Sequence, residues 1–355
     1  MERRVKAYLK DLFRKFEPYR ISQTDESASK RDLAQFLTHK LLAKRFRKQK
    51  VHETTYQDIA NKVKGSLEQN IPFHFVIPFG GYKHFWNPSH PEPDWAEVFT
   101  LRFLYDWVAP ILALHRPGAV IEFISEDMIL TRMNNYPPGS LDQYSKAFAL
   151  LLNTFKKSAP KNLDLRFFRL GEKFDKVEII KQVEDLLPER WKNWEKYSEQ
   201  EKQMELKRSV RSVFWNGEKD LTKLSDEEKQ RKIIESRLIE LAYYDIEAKP
   251  EFLGDYYMEQ NHIPICFSFG LSPDNSTHWI TLGSTYASTV DYWIGRGILE
   301  EREDGFINRV VSREQYEKIK DNLKIFETGF GKLPSKNYKT IEVVSQSDWQ
   351  RSTRT

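Results

Sequence analysis

The chain has 355 residues, of which 39% are hydrophobic and 30% are charged, and its formal net charge is +4. This composition is typical of a soluble globular protein of one or two domains, and it excludes a disordered chain. The nearly balanced charge gives no general attraction to nucleic acid or to a membrane surface. The single cysteine, Cys266, excludes an internal disulfide and a cysteine-based metal cluster. Since no apolar segment reaches membrane-spanning length, we expect a cytoplasmic protein.

The first 70 residues predict three helices that pack on the main body of the protein. Apolar residues recur at helical spacing in residues 1–20, 29–49 and 55–68. The first helix is basic, which fits a docked amphipathic helix or, alternatively, a helix on a membrane surface. The second helix ends in the basic run KRFRKQK at residues 44–50. Positive charge stabilises a helix C-terminus, which explains this run without a partner; phosphate or RNA binding is the alternative interpretation.

Residues 71–170 show the alternation of strands and helices that is typical of a parallel sheet. Short apolar runs predict strands over 71–79, 119–125 and 163–170, and helical spacing predicts helices over 94–115 and 140–155. A helix that links two strands implies that the strands are parallel and that the crossover is right-handed.

The remaining chain predicts a helical segment and then a return to strands. Residues 172–249 are strongly helical and charged, which indicates an insertion, a subdomain or a lid. The later elements are strands at 263–270 and 278–283, a hairpin at 297–311 around Asp304-Gly305, a helix at 312–323, and an irregular stretch around Gly329, Gly331 and Pro334.

These elements predict an α/β protein with a Rossmann-like, mainly parallel sheet flanked by helices and a helical insertion. Residues 1–70 form the N-terminal helices packed on the core, and residues 71–170 form the first half of an α/β catalytic domain. The helical insertion or lid follows at 171–260, and the second half of the domain with its hairpin at 261–345. Residues 346–355 are expected to be a mobile tail. A homo-oligomer is compatible with this sequence.

Polar residues gather at the carboxyl ends of the predicted strands, where ligands bind in open parallel sheets. Lys83 follows the first strand, and Ser125 ends the second. Asp94, with Glu97 three residues later, is the pattern of a helix N-cap with a capping box. We therefore expect one rim of the sheet to carry Lys83, Asp94, Glu97, Ser125, Glu126 and Asp127.

The common cofactor motifs are missing from the sequence. There is no GxxxxGK[ST] loop, no GxGxxG, no HExxH and no GxSxG. The histidines also lack the spacing of metal ligands, so we expect neither a cofactor nor a metal ion. The histidines considered are His74, His84, His90, His262 and His278.

Short motifs occur in order in the central region: PFGGYK at 78–83, PDWAE at 93–97, RPGAVIEFISED at 116–127, and then a helix with Asp142 and Tyr144. As an ordered set they resemble the isocyanide (isonitrile) synthases of the pyoverdine and dityrosine biosynthesis family. The matching positions are Pro78, Phe79, Lys83, Pro93, Asp94, Glu97, Pro117, Gly118, Ala119 and Ser125.

The sequence departs from the family pattern at two places. Glu126-Asp127 stands where the family has Asp-Gly after the second strand. The segment ICFSFGLSP at 265–273 stands where the family has an arginine-containing strand that ends in Ser-Ile-His. The missing arginine concerns the sugar-phosphate substrate, because a phosphate group is bound by cationic or amide donors.

The resemblance implies a Rossmann-like enzyme of specialised-metabolite biosynthesis. Such an enzyme converts the α-amine of an amino acid, typically Tyr or Trp, to an isonitrile, with ribulose 5-phosphate as the carbon donor. Its partners are then small-molecule substrates, with no nucleic acid and no membrane.

The resemblance also suggests roles for residues along the predicted rim. Lys83 would be an anion clamp or a proton donor, and Asp127 beside Glu126 would be a like-charge pair with one raised pKa. Asp94 and Glu97 would bind the amine or act as bases, although a helix cap explains both equally well. His278 is a further acid or base candidate. The candidate substrate-binding residues are Tyr82, Ser125, Glu126 and Arg116.

Two alternative functions remain open from the sequence. Residues 284–311 fit a winged helix in a nucleic-acid or protein-binding module, with Arg296, Arg302 and Arg309 near phosphates. Glu300 and the other acids of this segment make such a wing electrostatically poor. The second alternative is a different Rossmann-like transferase.

Overall fold

The structure is a computed structural model of the chain. It describes residues 2–14, 16, 18–47, 50–78, 92–125, 140–214, 224–247, 249, 261–267, 280–283, 295–303, 305–311 and 313–337. Among the helices in these ranges, none combines the length and the apolar character that a membrane crossing requires.

A five-stranded parallel sheet is the centre of the fold. The strand order is β3-β2-β1-β4-β5, so the chain starts in the middle of the sheet and adds strands on both sides. All four strand pairings are parallel, which confirms the predicted Rossmann-like α/β class. The strands are β1 (Phe73–Pro78), β2 (Ala119–Ser125), β3 (Leu163–Arg169), β4 (His262–Cys266) and β5 (Ile280–Thr281).

Two long helices cover the first face of this sheet. Helix α5 (Trp95–Leu114) connects β1 to β2, and helix α6 (Ser140–Lys156) connects β2 to β3. Alternate strand residues such as Phe75 and Phe123 are fully buried in one apolar core with both helices. Because these patterns are local in sequence, the predicted elements agree closely with the observed ones.

Helices of the segment between β3 and β4 contribute to the second face. Val76 and Ile124 form a separate buried cluster there with Ile179 and Tyr243. The helices of the segment are α7 (Leu170–Lys173), α8 (Lys176–Lys196), α9 (Glu199–Phe214) and α10 (Asp226–Glu247). Ile179 lies on α8 and Tyr243 on α10, so these two helices pack directly on the sheet.

The N-terminal region differs from its prediction at one point. The single helix expected over residues 29–49 is divided at Asp32, whose side chain accepts the backbone N–H of Gln35 and caps a new helix. The basic run then begins in a short 3-10 turn, Lys44–Phe46, and not at a helix C-terminus. The helices of this region are α1 (Glu2–Arg14), α2 (Gln23–Arg31), α3 (Leu33–Leu41) and α4 (Glu53–Glu68).

A second sheet of four strands, in the order β7-β6-β9-β8, follows the first. The predicted hairpin is confirmed, since β6 and β7 pair antiparallel around Gly305. The irregular stretch expected around Pro334 is wrong, because β8 and β9 form an antiparallel pair there and β9 also pairs with β6. The elements are β6 (Arg296–Glu301), β7 (Phe306–Val311), α11 (Arg313–Ile319), the 3-10 turn Lys320–Asn322, β8 (Lys324–Glu327) and β9 (Lys332–Asn337).

The second sheet contacts the start of α5 through two glycines. A Cβ atom on Gly297 would lie 2.0 Å from the backbone nitrogen of Ala96, and one on Gly331 would lie 2.0 Å from the carbonyl oxygen of Pro93. No side chain fits at either distance. Both glycines are therefore required for the close contact between the second sheet and the start of α5.

The sequence's one cysteine is buried. Cys266 ends β4 at 5% relative exposure, and its Sγ lies 3.5 Å from the hydroxyl oxygen of Thr281 on β5.

Candidate functional site

The candidate site is the carboxyl edge of the five-stranded sheet on the side of α5 and α6. Each of these helices follows a strand, so its first turn lies at this edge. Ser125 and Arg169 are the last residues of β2 and β3, and their Cα atoms are direct partners in the sheet. The edge therefore combines two strand ends and two helix starts.

Asp94 and Glu97 form a complete capping box at the start of α5. The Asp94 carboxylate accepts the backbone N–H of Ala96 at 2.8 Å, and the Glu97 carboxylate accepts the backbone N–H of Asp94 at 2.8 Å. Both side chains are buried, at 0% and 1% relative exposure. The geometry gives these two acids a role in positioning the helix, where the sequence also allowed a catalytic one.

Asp94 also joins α5 to the second sheet. Its Oδ1 atom accepts the backbone N–H of Gly297 at 2.8 Å, and its Oδ2 atom lies 3.3 Å from Nη1 of Arg296. The Arg296 side chain is 1% exposed and lies over the ring of Tyr316. Arg296 therefore cannot contact the phosphates of a nucleic acid, which removes one of the three cations of the alternative winged-helix interpretation.

The other two arginines of the alternative winged-helix interpretation are both held by one acid, Glu300. Arg302 and Arg309 both form ion pairs with Glu300, at 3.3 and 2.7 Å. The hairpin that carries them is part of the four-stranded sheet. It is therefore not an isolated wing.

Tyr144 on α6 lies deep beside the capping box. Its hydroxyl donates a hydrogen bond to Oε1 of Glu97 at 3.1 Å, and its ring stacks on Phe148. Burial raises the pKa of Tyr144 well above 10.0, and the negative charges of Glu97 and Asp94 raise it further. Tyr144 is therefore a neutral hydrogen-bond donor that connects α6 to α5.

Arg169 and Asp142 form the more accessible part of this edge. Nη1 of Arg169 lies 2.5 Å from Oδ1 of Asp142, which is in the first turn of α6. The two side chains are 30% and 45% exposed. This pair therefore places a cation and an acid beside Ser125, where solvent reaches them.

The structure brings only part of the predicted site together. Ser125 lies at the rim and is 3% exposed, while Asp94 and Glu97 lie behind it as helix-capping residues. Arg116 lies in the turn before β2, and seven strand residues separate it from the rim, about 20 Å away. The structure therefore does not bring Arg116 to this edge. Tyr82, Lys83, Glu126, Asp127 and His278 lie outside the described residues.

Sequence reasoning overlooked Arg169 and considered Arg296 for phosphate binding only in the alternative winged-helix interpretation. Arg169 could have been found, because the end of its strand was predicted to within one residue, and strand ends define the rim. Arg296 gave no such signal, since its partner Asp94 is remote in sequence. Within the described residues, no three His, Cys, Asp or Glu side chains are arranged to hold a metal ion.

The parallel sheet, its crossover helices and its polar carboxyl edge define an α/β protein of the Rossmann-like class. The fold is similar to the crystal structure of the PvcA protein from Pseudomonas aeruginosa, with a TM-score of 0.63 and 16% sequence identity. The alignment covers 86% of this chain and 99% of that one.

The sequence adds a more specific relationship. A region of 126 residues is 27% identical to the L-tryptophan isonitrile synthase AmbI1 of Fischerella ambigua (strain UTEX 1903). This region is 34% of the present chain and only 39% of that enzyme. No protein-family model matches the chain. The predicted resemblance is confirmed at this level: part of the chain is similar in sequence to an isonitrile synthase, and its fold is similar to that of PvcA.

Proposed function

We propose that the chain is an isonitrile-synthase-like enzyme of specialised-metabolite biosynthesis. It acts on the α-amine of an amino acid of the Tyr or Trp type and takes the isonitrile carbon from a pentulose phosphate. The observation that carries this proposal is the similarity to a tryptophan isonitrile synthase. The PvcA-like fold and the ordered sequence motifs support it.

The chemistry of this reaction sets requirements for the site. The amine must condense with the sugar carbonyl and lose water, and both C–C bonds of the resulting imine carbon must then break so that this carbon stays on nitrogen. Each step moves protons, so the site needs an acid and a base. It also needs cationic groups, because both substrates carry negative charge.

Residues that follow β1 and β2 in the chain, together with His278, are proposed to meet these requirements. Lys83 would bind an anionic group or donate a proton. Asp127 with Glu126 would transfer protons, and His278 is a further acid or base. Asp94 and Glu97 would act indirectly, because they hold the first turn of α5 at the same edge.

The test is incubation of the purified chain with Trp or Tyr and ribulose 5-phosphate that is isotopically labelled at the carbonyl carbon. We expect mass spectrometry to show an isonitrile product in which the labelled carbon is bound to the amine nitrogen. The absence of such a product across a broad panel of amino acids would reject the proposed function.

Two substitutions test the proposed residues. Lys83→Ala and Asp127→Asn should each lower turnover by about 100-fold or more, as loss of an acid–base group does, with the melting temperature unchanged. Lys161→Ala is the matched control, because Lys161 is exposed in the turn before β3, at the opposite edge of the sheet. Normal turnover in both test variants would remove these residues from the site.

A further inference from the structure

Arg169 has a position that a ligand-binding arginine requires. It ends β3, and the alternation of the strand places it on the same side as Leu163 and Leu165, which face the core beneath α6. Its Cα partner across the sheet is Ser125. The guanidinium therefore lies over the carboxyl edge on the side where the candidate site is found.

The side chain of Arg169 is oriented as well as accessible. Its Nη1 atom donates to Asp142 on α6, and its backbone N–H donates to Oε2 of Glu172 at 3.3 Å. The ion pair with Asp142 holds the guanidinium across the rim, and about a third of the Arg169 side chain remains exposed to solvent. The ordering cost of binding is thereby lowered, since the side chain is already positioned.

The other arginines nominated by the sequence do not fill this role. Arg296 is buried and paired with Asp94, and Arg116 lies at the opposite edge of the sheet. The family's arginine-containing strand corresponds here to ICFSFGLSP, which has no arginine. Arg169 therefore offers this edge a cation in addition to Lys83, whose anion-binding role is part of the proposed function.

We propose that Arg169 is a substrate-binding residue that takes the oxyanion group of a substrate, a carboxylate or a phosphate, at the carboxyl edge. A guanidinium carries five N–H donors in one plane, so it binds the Asp142 carboxylate and a ligand oxyanion at the same time. Asp142 then acts as a positioning residue. The assignment of the anion to the amino acid or to the sugar phosphate rests on the proposed function.

The test compares Arg169→Gln and Arg169→Lys with the wild type. The apparent KM is measured separately for the amino acid and for ribulose 5-phosphate. We expect Arg169→Gln to raise one of the two KM values by about 10- to 100-fold, which identifies the anion that is bound. Arg169→Lys should restore part of the loss, because an ammonium keeps the charge but not the planar fork.

Arg166→Gln is the matched control. Arg166 lies on the same strand, is exposed, and pairs with Asp164 at 2.7 Å, but it alternates to the other face of the sheet. We expect both KM values of this variant to equal those of the wild type.

A binding experiment separates this proposal from the proposed function. Isothermal titration of the wild type and Arg169→Gln with inorganic phosphate and with tryptophan needs no turnover. If Arg169→Gln abolishes the binding of phosphate or of tryptophan, the anion site is supported even if no isonitrile is formed. Unchanged KM values with a lower kcat and melting temperature would show a structural role and overturn the proposal. Failure of the wild type to bind either probe would overturn it as well.

Discussion

The Tyr144 hydroxyl connects the two helices that border the candidate site, and it does so without contact with solvent. Its ring is 1% exposed, and its hydroxyl is bonded to the Glu97 carboxyl on α5. A buried phenol in such a place must stay protonated, because ionisation would add a further negative charge beside those of Glu97 and Asp94. The stability of the folded state therefore depends on pH through Tyr144.

The first residue-scale prediction concerns the alkaline range. The pKa of Tyr144 is raised on folding, so the stability that this residue contributes is complete below 10.0 and falls as pH rises above that value. The unfolded chain then releases a proton that the folded chain keeps. Tyr144→Phe should reduce the alkaline slope of the free energy of unfolding by up to about 1.4 kcal/mol per pH unit. Urea denaturation across alkaline pH measures this slope.

The same substitution has an effect at neutral pH. Removal of the hydroxyl takes one hydrogen bond from a buried carboxyl, so Tyr144→Phe should lower the free energy of unfolding by about 1–3 kcal/mol. Tyr244→Phe is the control, since the Tyr244 hydroxyl makes an exposed hydrogen bond to Glu240. Equal small losses in the two variants would contradict the structural role of the Tyr144 bond.

Helix α5 shows at the scale of an element how a helix start is fixed by remote contacts. The Asp94 carboxylate serves the helix cap, the backbone of β6 and the guanidinium of Arg296. Helix caps in proteins are commonly exposed, and their loss has a modest cost. Here the cap is also half of a buried ion pair, so its loss leaves a charge inside the protein.

Asp94→Asn should therefore lower the free energy of unfolding by about 3–5 kcal/mol, because it breaks a buried pair while the Arg296 charge remains. The matched control is Asp32→Asn, at the exposed N-cap of α3, where we expect a change below about 1 kcal/mol. Chemical denaturation of both variants measures the difference. Similar losses at the two caps would show that the ion pair with Arg296 contributes little.

At the scale of the whole molecule, the described residues contain two sheets, and the second sheet is joined to the first half of the fold at the start of α5. This joint depends on the absence of side chains at Gly297 and Gly331. The joint couples the second sheet to the helix that borders the candidate site. The two sheets should therefore unfold together, as the parts of one cooperative unit do.

Gly297→Ala tests this coupling. The new methyl group would lie 2.0 Å from the Ala96 nitrogen, so the backbone must move. We expect the free energy of unfolding of the variant to fall by more than about 3 kcal/mol, or the two sheets to unfold in separate transitions. Gly329→Ala is the control, because its Cβ would meet nothing nearer than 3.6 Å. Calorimetry distinguishes the outcomes, and a single unshifted transition in Gly297→Ala would show that the joint can relax.

The sequence predicted those parts of the molecule that local signals determine. The first three strands and their helices follow from hydrophobic spacing, from the capping box at Asp94, and from Gly118, whose φ of 75° glycine adopts without strain. The pair β8 and β9 was not predicted, because Pro334 is a poor strand residue and β9 depends on pairing with β6. Arg169 and Arg296 acquire their roles from partners distant in sequence, which periodicity does not show.

The burial of Cys266 between β4 and β5 has a practical consequence for solution studies. A thiol buried in a sheet is protected from maleimide dyes, and the sequence contains no second thiol. A cysteine introduced on the exposed face of α10, and another near Asp142, would therefore be labelled selectively in the otherwise native sequence. Fluorescence energy transfer between the two labels would then report whether the helical segment approaches the rim when substrate is added.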